Sequence, residues 1–146
     1  MKKEVIISIL GAIGSGIAWF FGGWDKDLQT LIVIMGIDFV LGLLLGFLGK
    51  SAKTEGGGLS STAGLKGIAK KAAMLLLVAF AALVDRYTGA DLCRNAICLA
   101  LIANEAISLL ENFGLLGLPL PERLKDAIEN LKNNTINKTG GNQNGN

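Results

Sequence analysis

Long apolar runs alternate with short polar stretches along this chain. The first run covers residues 5–21 and follows Lys2 and Lys3. The second covers 28–49 and holds one carboxylate, Asp38. The third covers 68–84, and its segment AAMLLLVAFAALV shows no polar residue at any helical spacing. The fourth covers 93–110 and contains Asn104 and Glu105. A helix that crosses a hydrocarbon layer needs about 20 apolar residues, within a range of about 17–25. Buried helices of a soluble bundle keep a polar outer face, and the third run has none. The pattern predicts an all-α integral membrane protein, with a transmembrane domain over residues 1–114 and four membrane-spanning helices. Three spans result if the short, glycine-rich first run stays peripheral. A cleaved leader is not expected, because the first run ends in WFFGGW without a small-x-small cleavage site.

Beyond the fourth run come Pro119 and Pro121, and Pro121 suits the first position of a helix. Leu120, Leu124, Ile128 and Leu131 recur at helical spacing, which predicts an amphipathic surface helix over 115–132. Residues 133–146 are rich in Asn, Gly and Thr, cannot bury apolar surface, and are expected to be a disordered polar tail. Two Asn-x-Thr patterns there, at Asn133 and Asn137, are read as chance matches. The stretch 50–64, with Gly56-Gly57-Gly58, is expected to be a flexible polar loop.

The basic residues orient the spans. Two lie in the N-terminal tail, five between residues 50 and 71, and four in the C-terminal region. One lies between the first two runs and two between the last two. Four spans with both termini in the cytoplasm put eleven of the fourteen Lys and Arg on that side, which predicts a multi-pass protein of the bacterial cytoplasmic membrane. Trp19 and Trp24 suit one membrane interface, and Lys70 and Lys71 suit the other as positive anchors.

Composition narrows the chemistry. Charged residues make up 18%, against about 25% in ordinary soluble domains. There is no histidine, which removes His-based acid–base catalysis and His-containing metal sites. Cys93 and Cys98 would lie about 7.5 Å apart along a helix and about 140° around it, so they are read as buried free thiols. Gly56-Gly57-Gly58 leads into Leu59-Ser60, not into the Gly-Lys-Ser/Thr of a nucleotide loop. No enzyme activity, cofactor, metal or nucleic-acid partner is expected.

The candidate chemistry is therefore polar groups inside the membrane. An aspartate at the bilayer centre costs about 2.5–3.5 kcal/mol on insertion scales, so Asp38 must face protein or water. Met35, Asp38, Gly42, Gly46 and Gly49 share one helical stripe, and Gly42 and Gly46 form a small-xxx-small pair for close helix packing. In the fourth run Asn104, Ser108 and Glu111 recur at i, i+4, i+7, flanked by Glu105 and Asn112, with Arg94 on an extension of the same face. Lys70 and Lys71 are the cations nearest Glu105 and Glu111.

With these residues in order, the chain resembles the small holins of the toxin-secretion and phage-lysis type. The resemblance runs through Gly22-Gly23-Trp24-Asp25, Ile37-Asp38 with Gly42, and Gly67-Ile68-Ala69-Lys70-Lys71. It continues through Ala103-Asn104-Glu105, the segment from Ile107 to Asn112, and Gly117-Leu118-Pro119-Leu120-Pro121. It covers about residues 22–131. The resemblance implies a homo-oligomer among membrane lipids that opens a lesion at a set time. The lesion would release a murein hydrolase (endolysin) or an exported toxin, neither of which need touch the chain. Asp38, Asn104, Glu105, Ser108 and Glu111 would then line a pore or an oligomer interface. Two alternatives stay open: a small ion channel or proton-coupled transporter, whose relay needs intramembrane carboxylates, and an antiholin that regulates a partner holin.

Overall fold

The computed structural model describes residues 2–140. Among these residues it contains five α-helices and no strand: α1 (Lys2–Phe20), α2 (Lys26–Phe47), α3 (Ser61–Thr88), α4 (Cys93–Leu115) and α5 (Glu122–Gly140). The first four are long and apolar enough to cross a membrane. α4 is the central helix: it packs against α2, α3 and α5, whereas α2 and α3 hardly touch each other. α1 buries none of its residues.

Local chemistry sets the helix ends. Asp25 caps α2, its Oδ1 accepting from the Leu28 N–H at 3.0 Å. Ser60 caps α3 by accepting from Ala63 N at 3.4 Å. α2 stops because Gly49 takes φ +67, and Lys50 N donates back to Leu45 O at 2.8 Å. α3 stops at Gly89, also left-handed at φ +71.

The start of α4 is capped from a distance. Leu92 offers no side-chain cap. The Asp85 carboxylate at the end of α3 accepts from Cys93 N at 3.0 Å and from Arg94 N at 2.8 Å instead. One side chain thus satisfies two of the orphan donors at the α4 N-terminus and sets the α3–α4 turn.

The core is Leu28, Leu31, Met35, Met74, Val78 and Cys98, with Ile97, Leu101 and Ile102 against it. The opposite faces are apolar and exposed: Val33, Val40, Phe47, Leu76 and Phe80 all show more than half of their surface. Lipid tails are as apolar as these side chains, so helix association in a bilayer rests on packing and on polar contacts between helices.

Several boundaries differ from the hydropathy pattern. α3 begins at Ser61 and ends at Thr88, because the helix continues past its apolar centre at both ends. α4 runs to Leu115. The amphipathic helix begins at Glu122, after the proline-containing turn, and reaches Gly140. Residues 133–140, expected to be a disordered tail, are therefore helical: low hydrophobicity does not stop a helix that is already nucleated. Residues 141–146 lie outside the described residues.

The stretch expected to be a flexible loop folds on itself. Ser51 N donates to Gly57 O at 2.9 Å, and the Thr54 hydroxyl donates to Gly58 O at 2.7 Å. Gly57 has φ +75, and a Cβ there would sit 2.1 Å from Gly49 O, so this position requires glycine. Of the two thiols, Cys98 is buried as expected, but Cys93 is exposed at the start of α4.

A buried polar cluster and an arginine clasp

Asp38 falls within the buried stripe of α2 formed by Leu28, Leu31, Met35, Leu45 and Gly46. It is 3% exposed, and Glu105, facing it from α4, is 2% exposed. Lys71 of α3 reaches between them. Its Nζ donates to Asp38 Oδ2 at 2.9 Å and also to Glu105 Oε2. The other Asp38 oxygen, Oδ1, accepts from the Ser108 hydroxyl at 2.7 Å and from Asn112 Nδ2 at 2.9 Å. Among the described residues, no buried side-chain nitrogen or oxygen lacks a partner. Three spans thus share one polar cluster of two carboxylates, one ammonium, a hydroxyl and an amide.

The cluster sits mid-span. Asp38 lies twelve residues past the start of α2, and Glu105 lies twelve past the start of α4. At 1.5 Å per residue this is a depth of about 18 Å from that end of the bundle. A buried ion pair of this kind is worth little net stability, but removing one partner leaves an uncompensated charge.

The structure redistributes the residues expected to form the site. Glu105 and Ser108 turn inward, while Asn104 and Glu111 are exposed. Asn112, expected only to flank the stripe, is buried at 6% exposure and bonds Asp38. The inward stripe of α4 is therefore Glu105, Ser108 and Asn112. Lys70 is exposed, as an interface anchor would be, but Lys71 is a corrected assignment. Its side chain is only 16% exposed and pairs with carboxylates inside the bundle.

The glycines also separate. Gly46 is covered not by a helix but by Leu59 of the loop, whose Cδ2 would lie 2.9 Å from a Cβ at that position. Gly42 has open space beside it. Gly49 is the helix terminator described above and not part of a packing stripe. Gly42, Gly46 and Gly67 line a small cleft of about 70 Å³ with Ser51, Lys53 and Thr54, and it reaches Asp38 and Lys71 from the loop side.

A second polar assembly holds the opposite end. Arg94, at the start of α4, donates from Nε to Phe21 O at 2.5 Å and from Nη2 to Gly23 O at 3.2 Å. Its two terminal nitrogens also grip Asp25, at 2.6 and 3.0 Å. The planar guanidinium fork suits this bidentate carboxylate contact. Gly22, at φ +79, passes directly under the arginine: a Cβ there would lie 2.7 Å from Arg94 Cδ. The Arg94 hydrogen bond is the main cause that holds the Asp25 carboxyl below its ordinary range, and the Leu28 N–H adds to it. Beside this clasp Trp19 and Trp24 are both exposed, and the Arg86 guanidinium lies 4.2 Å over the Trp19 ring. Asp25 and Asp85 were not singled out from the sequence. The available signal was an acid beside each of two polar turns, one before α2 and one after α3, with Arg94 opening α4.

Among curated proteins, an uncharacterized 14.9 kDa protein in the nagH 3' region of Clostridium perfringens is 38% identical over 124 residues, covering 84% of this chain and 89% of that one. An uncharacterized protein of Listeria innocua is 40% identical over 129 residues, 86% of each chain. One from Halalkalibacterium halodurans is 32% identical over 126 residues, 82% of this chain and 88% of that one. No solved structure matches. The model of the bacteriophage holin family matches residues 15–133, from the end of α1 through the polar cluster and the arginine clasp into α5, and the chain belongs to that family.

Proposed function

We propose that this chain is a lesion-forming holin. Copies accumulate in the cytoplasmic membrane with both termini on the cytoplasmic side, associate, and open a hole through which a murein hydrolase or a toxin leaves the cell. The observation that carries this reading is the cluster of Lys71, Asp38, Glu105, Ser108 and Asn112 at mid-span in an otherwise apolar bundle. In the closed arrangement the groups satisfy one another and the outer surface suits lipid. When the spans part, each group needs a new partner, and water supplies it. The same side chains that hold the closed bundle then wet a lumen. Asn104, exposed at mid-span on α4, adds a polar group for contact between copies.

A second reading rests on the cleft that reaches Asp38 and Lys71 from the loop side. A narrow polar entry to buried charges suits a small ion path. Its size suits ions and water, not folded proteins.

Induced expression separates these readings. The host carries a folded cytoplasmic reporter enzyme and a murein hydrolase without an export signal, and membrane potential, reporter release and turbidity are followed together. Sudden depolarisation with release and lysis is the expected result. Depolarisation without release would favour the small ion path. Silence alone, with delay of a co-expressed holin, would identify an antiholin.

A further inference from the structure

The bundle is built differently on the two sides of its charged cluster. The core residues Leu28, Leu31, Met35, Met74, Val78 and Cys98 all lie between the cluster and the arginine clasp. α3 shows the change within one helix: it buries Met74, Val78, Ala79, Ala81, Ala82 and Asp85, and nothing from Ser61 to Ala73. The clasp half is packed and apolar. In the loop half glycines stand where core side chains would be. Gly42 on α2 and Gly64 and Gly67 on α3 line the cleft, and a Cβ at any of them would meet nothing within 4 Å.

That open space ends on charge. The cleft of about 70 Å³ runs from Ser51, Lys53, Thr54 and Ser60 at the loop to Asp38 and Lys71. A second cleft, of about 500 Å³, shares Gly42, Ser51 and Lys53 with it and reaches Ser108 and Asn112, the other partners of Asp38. An ammonium has three donors, and Lys71 gives two to carboxylates. The hollow on its other flank has apolar walls of Ile32, Met35, Phe39 and Leu75, so an acceptor for the third donor must come through the cleft. A buried water needs about 10–15 Å³ and two to four polar partners, and the cleft offers both. Lys66 and Lys70, exposed on the same half of α3, carry their ammonium groups to the headgroups. The mouth therefore opens beside headgroups and water, not among acyl chains.

We propose that the loop half of the closed bundle is a blind vestibule, filled with water from the loop side and floored by Lys71 and Asp38. Its ligand is water, with the small ions that water carries. Lys53 stands at both mouths and offsets the net negative charge of two carboxylates and one ammonium. The packed core beyond the floor stops water short of the clasp, which separates the vestibule from a through path. The vestibule belongs to the single closed chain and is present before any copies part, so it goes beyond lesion formation.

Cysteine labelling in membrane vesicles tests it, with full-length Cys93→Ser chains that keep the buried Cys98. Gly42→Cys places a thiol on the vestibule wall, where a Cβ has open space. Val40→Cys, at a position 62% exposed, places one at nearly the same depth on the lipid-facing surface. Lys66→Cys and Tyr87→Cys mark the loop side and the clasp side. The reagent is a methanethiosulfonate carrying a sulfonate, which does not cross membranes and reacts with thiolates in water. Vesicles of both orientations that still hold an enclosed dye are labelled and read by mass. The expected result is modification of Gly42→Cys about 100-fold faster than Val40→Cys, the scale of the penalty on a charged group in hydrocarbon. It occurs only from the side that modifies Lys66→Cys, and Cys98 stays unmodified. Modification of Gly42→Cys from the Tyr87→Cys side as well would overturn the proposal and establish a through path. Equal, slow modification of Gly42→Cys and Val40→Cys would overturn it by placing acyl chains in the cleft. Silver ion, a smaller thiol reagent, repeats that comparison, so reagent size cannot produce the negative result.

Discussion

Lys71 on α3 donates to Asp38 on α2 at 2.9 Å, although the two helices hardly meet elsewhere. The same ammonium contacts Glu105 on α4. One cation therefore ties together three spans, and α4, the central helix, supplies the packing that brings them within reach. In a bilayer, where apolar contacts between helices gain little over contacts with lipid, such a polar joint adds to what holds the three spans together.

Removing that cation should open the bundle. Lys71→Met leaves two facing carboxylates without their counter-ion, at a cost of about 3–5 kcal/mol for breaking a buried pair. Unfolding by sodium dodecyl sulfate in mixed micelles, followed by tryptophan fluorescence, should show an earlier midpoint. Replacing the whole group, with Asp38→Asn and Glu105→Gln added to Lys71→Met, should recover part of the loss. An unchanged midpoint in the single variant would show that the cluster does not hold the spans.

The same carboxylates should set the time of opening. Asp38→Asn and Glu105→Gln weaken the closed cluster without changing its shape, so lysis after induction should start earlier than in the parent. Lysis on the parental schedule would take Asp38 and Glu105 out of the trigger.

Acid should loosen the clasp end first. Asp25 has a lowered folded-state pKa, held down chiefly by Arg94. Its contribution is fully present above the ordinary carboxylate value and is lost as pH falls through the lowered one. The carboxylate is 46% exposed, so solvent screening keeps the effect small. Titration below the ordinary carboxylate range should increase proteolysis at the α1–α2 turn, and Asp25→Asn should show that increase already at neutral pH.

Gly22 should tolerate no side chain. Gly22→Ala places a Cβ 2.7 Å from Arg94 Cδ on a backbone at φ +79, a strain of about 1–3 kcal/mol. Part of that cost belongs to the arginine. Combining Gly22→Ala with Arg94→Ala should therefore destabilise by less than the sum of the two, in a double-variant cycle read by the same detergent titration.

Asp85 should behave as the cap of a helix to which it does not belong. Asp85→Ala should cost about 0.5–2 kcal/mol, the usual range for a lost cap. Amide hydrogen exchange should accelerate selectively at Cys93 and Arg94, which donate to it. Asp85→Asn, which keeps an acceptor oxygen, should lose less.

The sequence by itself determined the spans, because a bilayer demands a long apolar helix and little else in this chain is apolar enough to compete. It also determined that Asp38 faces inward, since a lone acid in a stripe with Met35 has no other acceptable surface. On α4 it favoured Asn104–Ser108–Glu111, with Glu105 and Asn112 only flanking, and the inward stripe is the other one. Asn104–Ser108–Glu111 and Glu105–Ser108–Asn112 are both helical in spacing, share Ser108, and differ by one residue at each outer position. Only the position of α2 and α3 around α4 selected the second. Lys71 read as an interface anchor because a lysine near a span end usually points to headgroups; the two carboxylates facing it across the bundle reversed that. The glycines of α2 read as a helix-packing stripe, but Leu59 of the following loop covers Gly46, and Gly49 ends the helix in a local turn. Arg94 gripping Asp25 from 69 residues away, and Asp85 capping another helix, were decided by tertiary structure alone. Spacing along a helix fixes which residues share a face, but what that face meets depends on helices whose placement no local pattern encodes.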